Sequence, residues 1–170
     1  MDKLKPIDCK LLFELIKDSH RSDRQIAEAI RTSQPTVKRR RQILEKTIIQ
    51  EYTVMPKIDK LGFEILAFTL VKSALKYATL EAKKTAVSKG QEWIMKQTNV
   101  IFAASGQGMG LDGLAVSLHK DYSDYRTFVQ RMKSETVGMI TEIESFITQA
   151  KPERVIKRLS LTYLADSNAF

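Results

Sequence analysis

The stretch of the chain from Arg31 to Lys46 concentrates side chains that can bind a polyanion. It holds six basic residues against one acidic residue, Glu45. The whole chain is also basic, with 28 Lys and Arg residues against 20 Asp and Glu residues and a net charge of +8. Lys and Arg pair with phosphate oxygens, and Ser, Thr and Gln form hydrogen bonds with phosphates or with the edges of bases. This part of the sequence therefore has the chemistry of a nucleic-acid contact, in the residues Arg31, Ser33, Gln34, Thr36, Lys38, Arg39, Arg40 and Arg41.

Two helices are predicted before this stretch. Pro6 suits the first turn of a helix, and the apolar residues after it recur at helical spacing on one face. That face comprises Ile7, Leu11, Leu12, Leu15 and Ile16. A second helix is predicted after Ser22, because Gln25 three residues later completes a capping box and apolar residues follow.

A third helix is predicted after a short link, with Ser33 as its cap. Pro35 fits its first turn, because an amide hydrogen has no helical partner there. At about 100° per residue, Val37 and Leu44 face inward, whereas the outward face is formed by Lys38, Arg39 and Gln42. Two helices joined by a tight turn are typical of a helix-turn-helix, whose second helix lies in the major groove of DNA.

The predicted helix-turn-helix divides the basic stretch into two roles. The residues expected to meet base edges are Ser33, Gln34, Thr36 and Lys38, and those expected to contact phosphates are Arg31, Arg39, Arg40 and Arg41. Because Arg40 and Arg41 flank the core side, the alternative for these two is an ion pair with a carboxylate of a neighbouring helix. A solvated basic helix without a DNA role is the alternative for the whole stretch.

The rest of the chain predicts a short strand, a linker and a second domain. The segment from Ile48 to Val54 is rich in β-branched and aromatic residues, which favours a strand or wing, and residues 56–62 have the composition of a linker. From residue 63 the pattern predicts the ferredoxin-like order βαββαβ. Alternation of Leu159, Leu161 and Tyr163 with polar residues favours a further strand. The predicted fold is thus α+β, with a winged helix-turn-helix at 1–55 and a ferredoxin-like domain at 63–170.

The first 62 residues resemble the Lrp/AsnC family of transcription regulators from bacteria and archaea. The resemblance is carried, in order, by Asp8, Leu11, Leu12, Leu15, Arg21, Ser22, Ile26, Ala27, Ser33, Val37, Arg40, Leu44, Glu45, Ile49, Tyr52, Asp59, Leu61 and Gly62. The sequence departs from the family at Arg41, where an apolar residue is common, and it lacks the glycine that usually follows the recognition helix. The resemblance implies a sequence-specific regulator that binds double-stranded DNA as a homodimer or a larger homo-oligomer, with a second domain for effectors.

The second domain contains a glycine-rich segment, Ser105 to Gly113, between two predicted strands. Glycines allow tight turns or the close approach of a ligand. In the resembled family, a hairpin loop of the form Gly, two residues, Asp lies beside the site where amino-acid effectors bind between protomers. This implies a candidate ligand site at Gly106, Gly108, Gly110 and Asp112. A plain tight hairpin is the alternative, because the loop is longer here and no glycine stands three residues before Asp112.

The composition disfavours secreted and membrane proteins. The single cysteine, Cys9, excludes an internal disulfide and fits a reducing compartment. The longest apolar run, which begins at Val100, is far shorter than the roughly 18 residues of a membrane span. The charged start of the chain has no apolar signal-peptide segment. We therefore expect a cytoplasmic protein without a membrane partner.

Catalytic and metal-binding patterns are also lacking in the sequence. His20 and His119 are isolated and are expected to be surface or core residues, and no Cys or His spacing resembles a metal site. We expect no enzymatic activity, cofactor or metal. Trp93 is followed by Ile and Met, unlike the Asn-x-Trp-Phe element of the Lrp-like sirohaem decarboxylases. An architectural DNA-binding protein with little sequence preference remains the main alternative to a regulator.

Overall fold

The structure, a computed structural model, describes residues 4–74 and 79–166, apart from the side chain of Lys83. The chain divides into two compact units, one formed by Met1–Met55 with Arg158–Phe170 and the other by Pro56–Lys157. The outermost residues of the two predicted domains, 1–3 and 167–170, lie outside the described residues. The described residues 158–166, which the sequence assigns to the second domain, group with the first unit.

The first unit begins with the three predicted helices, α1 (Pro6–Lys17), α2 (Asp23–Ala29) and α3 (Gln34–Thr47). Pro6 stands in the first turn of α1, and Ser22 and Gln25 form a complete capping box at α2. At α3 the Ser33 hydroxyl accepts a hydrogen bond from the amide of Thr36. The three predicted starts are confirmed. The helices bury one shared core, made of Leu11, Leu15, Ile26, Ala27, Val37 and Leu44.

The predicted strand or wing from Ile48 to Val54 is wrong. Residues 49–57 have no regular structure, and no strand is described in the first unit. β-Branched composition favours an extended backbone, but a strand is stable only when it pairs with another, and the described part of this unit offers none. Within the predicted linker, a short 3₁₀ helix, Ile58–Leu61, ends at Gly62, whose φ of +80° favours glycine.

The chain returns to the first unit in α6 (Thr162–Asp166), where the alternation of Leu159, Leu161 and Tyr163 predicts a strand. That prediction is wrong, because the Ser160 hydroxyl accepts a hydrogen bond from the amide of Thr162 (3.1 Å) and begins a helix instead. The helix α6 packs against α1, and Ala165 is only 4% exposed.

The second unit has the predicted βαββαβ order, which is confirmed. Its elements are β1 (Ile65–Ser73), α4 (Leu80–Met95), β2 (Val100–Gly108), β3 (Leu111–His119), α5 (Tyr122–Glu135) and β4 (Ile140–Gln149). The four strands form an antiparallel sheet in the order β2-β3-β1-β4. No helix in the described ranges combines the length and the apolar character that a membrane span requires.

One face of this sheet is covered by helix. This face buries three polar side chains completely, those of Thr69 on β1 and of Ser117 and His119 on β3. The buried side of α5 carries Tyr125, Phe128 and Met132. The His119 ring stacks edge-on to Tyr125, with 5.4 Å between centroids. Burial lowers the pKa of His119, although Asp124 opposes that shift. His119 is therefore a core residue. The sequence predicts that this histidine is either a surface residue or a core residue.

Candidate nucleic-acid interface

The third helix is held so that one of its faces is buried and the other is exposed. Val37 and Leu44, seven residues apart, are 1% and 2% exposed and pack into the shared core. Lys38, Arg39 and Gln42 are exposed, as their positions around the helix predict. The core therefore fixes the orientation of α3, and a basic face is left for a partner.

Three of the predicted contact residues are basic and unpaired. Arg31, in the turn before α3, and Lys38 and Arg39 on the helix are all exposed. None of the three has an ion-pair or hydrogen-bond partner for its side chain among the residues that the structure describes. Arg31 also has φ of +55°, which is uncommon for a residue with a side chain. The charges on this surface are thus available to a polyanion.

The N-terminus of α3 adds a positive electrostatic field to this surface. The first turns of α1 and α2 contain Asp8 and Asp23, whereas the first turn of α3 contains no acidic residue. An uncompensated helix N-terminus attracts anions such as phosphate. Gln34 is exposed at this end, while the hydroxyls of Ser33 and Thr36 lie 2.8 Å apart and bond to one another.

Arg40 and Arg41 differ from the other predicted contacts, because both form ion pairs with carboxylates inside the unit. Arg40 Nη1 lies 3.5 Å from Asp8 Oδ2, and Arg41 Nη1 lies 2.8 Å from Asp23 Oδ1. Both arginine side chains are only 19% exposed. Their core-flanking positions allow an ion pair with a neighbouring helix as an alternative to a phosphate contact. The structure contains this ion pair for both arginines.

Tyr52, a residue that the sequence places in a strand, joins the Arg41 site. Its hydroxyl donates to Glu45 Oε1 (2.9 Å), and Arg41 Nε donates to the Tyr52 hydroxyl oxygen (3.4 Å). The Arg41 guanidinium carbon also lies 5.8 Å from the centre of the Tyr52 ring. Burial raises the pKa of Tyr52, and Arg41 acts in the opposite direction. Partial burial tends to lower the pKa of Arg41, but its bonds to Tyr52 and Asp23 outweigh this and raise it.

The glycine-rich segment of the second unit forms a tight hairpin. Only Met109 and Gly110 form the turn, with φ of +51° and +76°, whereas Gly106 and Gly108 belong to β2. Asp112, on β3, accepts a hydrogen bond from the backbone amide of Ser73 (2.6 Å). The four predicted ligand residues therefore lie at one end of the sheet, and Asp112 ties this end to β1.

Comparison with known proteins decides the family. Residues 4–45 match the model of the AsnC-type helix-turn-helix domain. An uncharacterized HTH-type transcriptional regulator of Pyrococcus abyssi is 30% identical over 157 residues, which cover 86% of this chain and 98% of that protein. The chain belongs to the Lrp/AsnC family of transcriptional regulators.

Solved structures show that this Lrp/AsnC regulator has the same fold along most of its length. A transcriptional regulator from Neisseria meningitidis, crystallised as a complex with L-Met, superposes with a TM-score of 0.77 at 18% identity, covering 94% of this chain and 96% of that one. Escherichia coli AsnC superposes with a TM-score of 0.71 at 14% identity, covering 92% and 98%. Similarity at this level of identity concerns the fold alone.

The sheet of the Lrp/AsnC regulator has an apolar face opposite the one that α5 covers. In the strand register, Phe102, Val116, Phe68 and Phe146 form one row across all four strands. Phe102 and Phe146, at the two edges, are 55% and 66% exposed, and the Phe68 and Phe146 rings lie 6.2 Å apart. We name this surface the open sheet face. Exposed apolar side chains grouped on one surface are typical of an interface between proteins.

Proposed function

We propose that this Lrp/AsnC regulator binds specific sites on double-stranded DNA through the exposed face of α3. The observation that carries the proposal is a set of exposed basic side chains, without partners in the described part of the chain, beside a helix N-terminus whose first turn has no acidic residue. Arg31 and Arg39 contact phosphates, whereas Lys38 and Gln34 meet base edges, and Gln34 can bond bidentately to adenine. The guanidinium groups of Arg40 and Arg41 are already paired with Asp8 and Asp23. These two arginines therefore contribute to DNA binding indirectly, through the ion pairs that join α3 to α1 and α2.

Replacing Arg39 and Gln34 separately tests the two roles. We expect Arg39→Ala to weaken binding to all DNA sequences alike and to reduce the slope of log affinity against log salt by about one unit, because one phosphate contact is lost. We expect Gln34→Ala to leave the salt slope unchanged and to relax the preference at one base pair. Titrations of the operator and of random DNA at several salt concentrations measure both effects.

The same titrations distinguish a regulator from an architectural protein. A regulator binds its own site roughly 10³-fold or more tightly than random DNA, whereas an architectural protein shows a ratio near one. If Arg39→Ala and Gln34→Ala both bind DNA as the parent does, α3 is not the contact surface. The proposed activity is regulatory binding without catalysis, and it takes place in the cytoplasm, where bacterial and archaeal DNA lies.

We also propose that the regulator is a homodimer, joined through the open sheet face. Its central row is apolar from one edge of the sheet to the other, and a twofold axis would place each row against its copy. A dimer presents two copies of α3, which suits a symmetric DNA site with half-sites about one helical turn, roughly 34 Å, apart. The spacing of protected bases in a footprint checks this geometry.

An amino-acid effector is proposed for the hairpin of Met109 and Gly110. The support is the L-Met complex of the similar Neisseria meningitidis regulator, together with the exposed carboxylate of Asp112. A carboxylate can hold the ammonium group of an amino acid, and backbone amides near glycines can approach its carboxylate. The effector would bind at this end of the sheet, between protomers.

A thermal-shift panel of amino acids at millimolar concentration tests the effector site. We expect at least one amino acid to raise the Tm, because a ligand specific to the native state stabilises it by mass action. The effect should disappear in Asp112→Ala and also in Asp112→Asn. The Asn variant is the matched control, because its amide oxygen can still accept the bond from Ser73 while the charge is lost. A panel without a shift in the parent would leave the hairpin with a structural role only.

A further inference from the structure

Two consecutive arginines of α3 connect it to the first turns of the other two helices. Arg40 pairs with Asp8, which stands in the first turn of α1, and Arg41 pairs with Asp23, in the first turn of α2. The Arg40 pair is incomplete, since Arg40 Nε and Asp8 Oδ1 have no hydrogen-bond partner among the described residues. Arg41 has the fuller set of contacts.

The guanidinium of Arg41 is surrounded by acceptors from three parts of the first unit. Besides Asp23, it donates to the backbone carbonyls of Ser19 (3.4 Å) and Arg21 (3.5 Å), which lie between α1 and α2. On its other side lie the Tyr52 hydroxyl at 3.4 Å and Glu45 Oε1 at 3.5 Å. A planar guanidinium can satisfy such a divergent set, whereas a Lys ammonium has no comparable fork.

We propose that Arg41 is a positioning residue that sets the placement of α3 on α2 and fixes the segment after α3 through Tyr52. Residues 50–57 are exposed and have no regular structure, and among the described residues the Tyr52 side chain is the one in this segment that bonds to α3. The departure from the family at Arg41, an arginine in place of an apolar residue, therefore gives this position a polar contact with Tyr52. The inference rests on the proposed DNA contact of α3, because it states how that helix is aligned for binding.

The test compares Arg41→Met with Arg39→Met, the same substitution at the exposed neighbour. We expect Arg41→Met to raise the Kd for the operator about tenfold, measured well below its Tm, with an unchanged salt slope. Arg39→Met should reduce the slope by about one unit, as a lost phosphate contact does. Asp23→Asn should raise the Kd in the same direction, and the double variant should be no worse than Arg41→Met alone, because Arg41→Met already breaks the contact with Asp23.

Two results would overturn the inference. A salt slope that falls in Arg41→Met as it does in Arg39→Met would make Arg41 a phosphate contact. An unchanged Kd with a lower Tm would make it a stabilising residue without influence on binding. If Arg41→Met does not fold, Tyr52→Phe serves instead, and we expect it to raise the Kd several-fold without changing the slope. Failure of the proposed DNA contact is distinguishable, because Arg39→Met would then bind DNA like the parent.

Discussion

The variant Phe146→Glu is expected to be a monomer at concentrations where the parent is a dimer. Phe146 lies at the edge of the open sheet face and is 66% exposed in the single chain, so a charge there costs little in the folded monomer. In a twofold interface the substitution occurs twice, and loss of a buried aromatic contact costs about 2 kcal/mol or more at each copy. The dissociation constant of the dimer should therefore rise roughly 10³-fold.

Binding to DNA should weaken with the loss of the dimer. Two linked copies of α3 gain roughly 10²- to 10⁴-fold in avidity over one, and a monomer loses that gain. Sedimentation gives the assembly state, and titration against one and two half-sites gives the affinities. Val137→Glu is the matched control, because Val137 is 78% exposed in the turn after α5, away from the open sheet face. A dimeric Phe146→Glu variant would place the interface elsewhere.

The variant Arg31→Gly is expected to weaken DNA binding without destabilising the protein. Arg31 has φ of +55°, a left-handed conformation that costs a residue with a side chain about 1 kcal/mol and costs glycine little. Glycine also gains freedom in the unfolded chain, which offsets much of this relief, so the Tm should stay level or rise slightly. The affinity should fall about tenfold, because the basic side chain beside α3 is lost.

Arg31→Ala separates the two contributions, because alanine removes the charge but keeps the left-handed strain. We expect it to bind DNA as weakly as Arg31→Gly while its Tm does not exceed that of the glycine variant. Both should lower the salt slope by about one unit. Arg24→Ala, an exposed arginine of α2 paired with Glu28, controls for the loss of a surface charge. Parental affinity in Arg31→Gly would show that the turn does not contact DNA.

The parts of the fold that follow from short-range rules could be predicted from the sequence. Ser22 with Gln25, and Ser33 before Pro35, specify helix starts through hydrogen bonds that span three residues, and the structure contains both. The orientation of α3 follows from the seven-residue spacing of Val37 and Leu44. These features depend on neighbours along the chain, and so their pattern is visible without a structure.

The parts that depend on distant partners could not be predicted in the same way. The composition around Tyr52 favours a strand, but whether one forms depends on a pairing edge, which the described part of the first unit lacks. The choice for Arg41 between phosphate and carboxylate depends on Asp23, eighteen positions away. The segment from Leu159 to Tyr163 alternates like a strand, yet it leads into α6, which packs as a helix against α1.

The return of the chain to α1 has a consequence for the order in which the protein is made. Residues 56–157 are synthesised between the two parts of the first unit, and at about 5–20 residues per second this takes roughly 5–20 s. During that interval the nascent protein already contains α3 but not α6. The side of α1 that packs against α6 is therefore still exposed to solvent. Of the two units, the first is thus begun before the second and completed after it, and the packing of α6 on α1 awaits translation of the whole second unit.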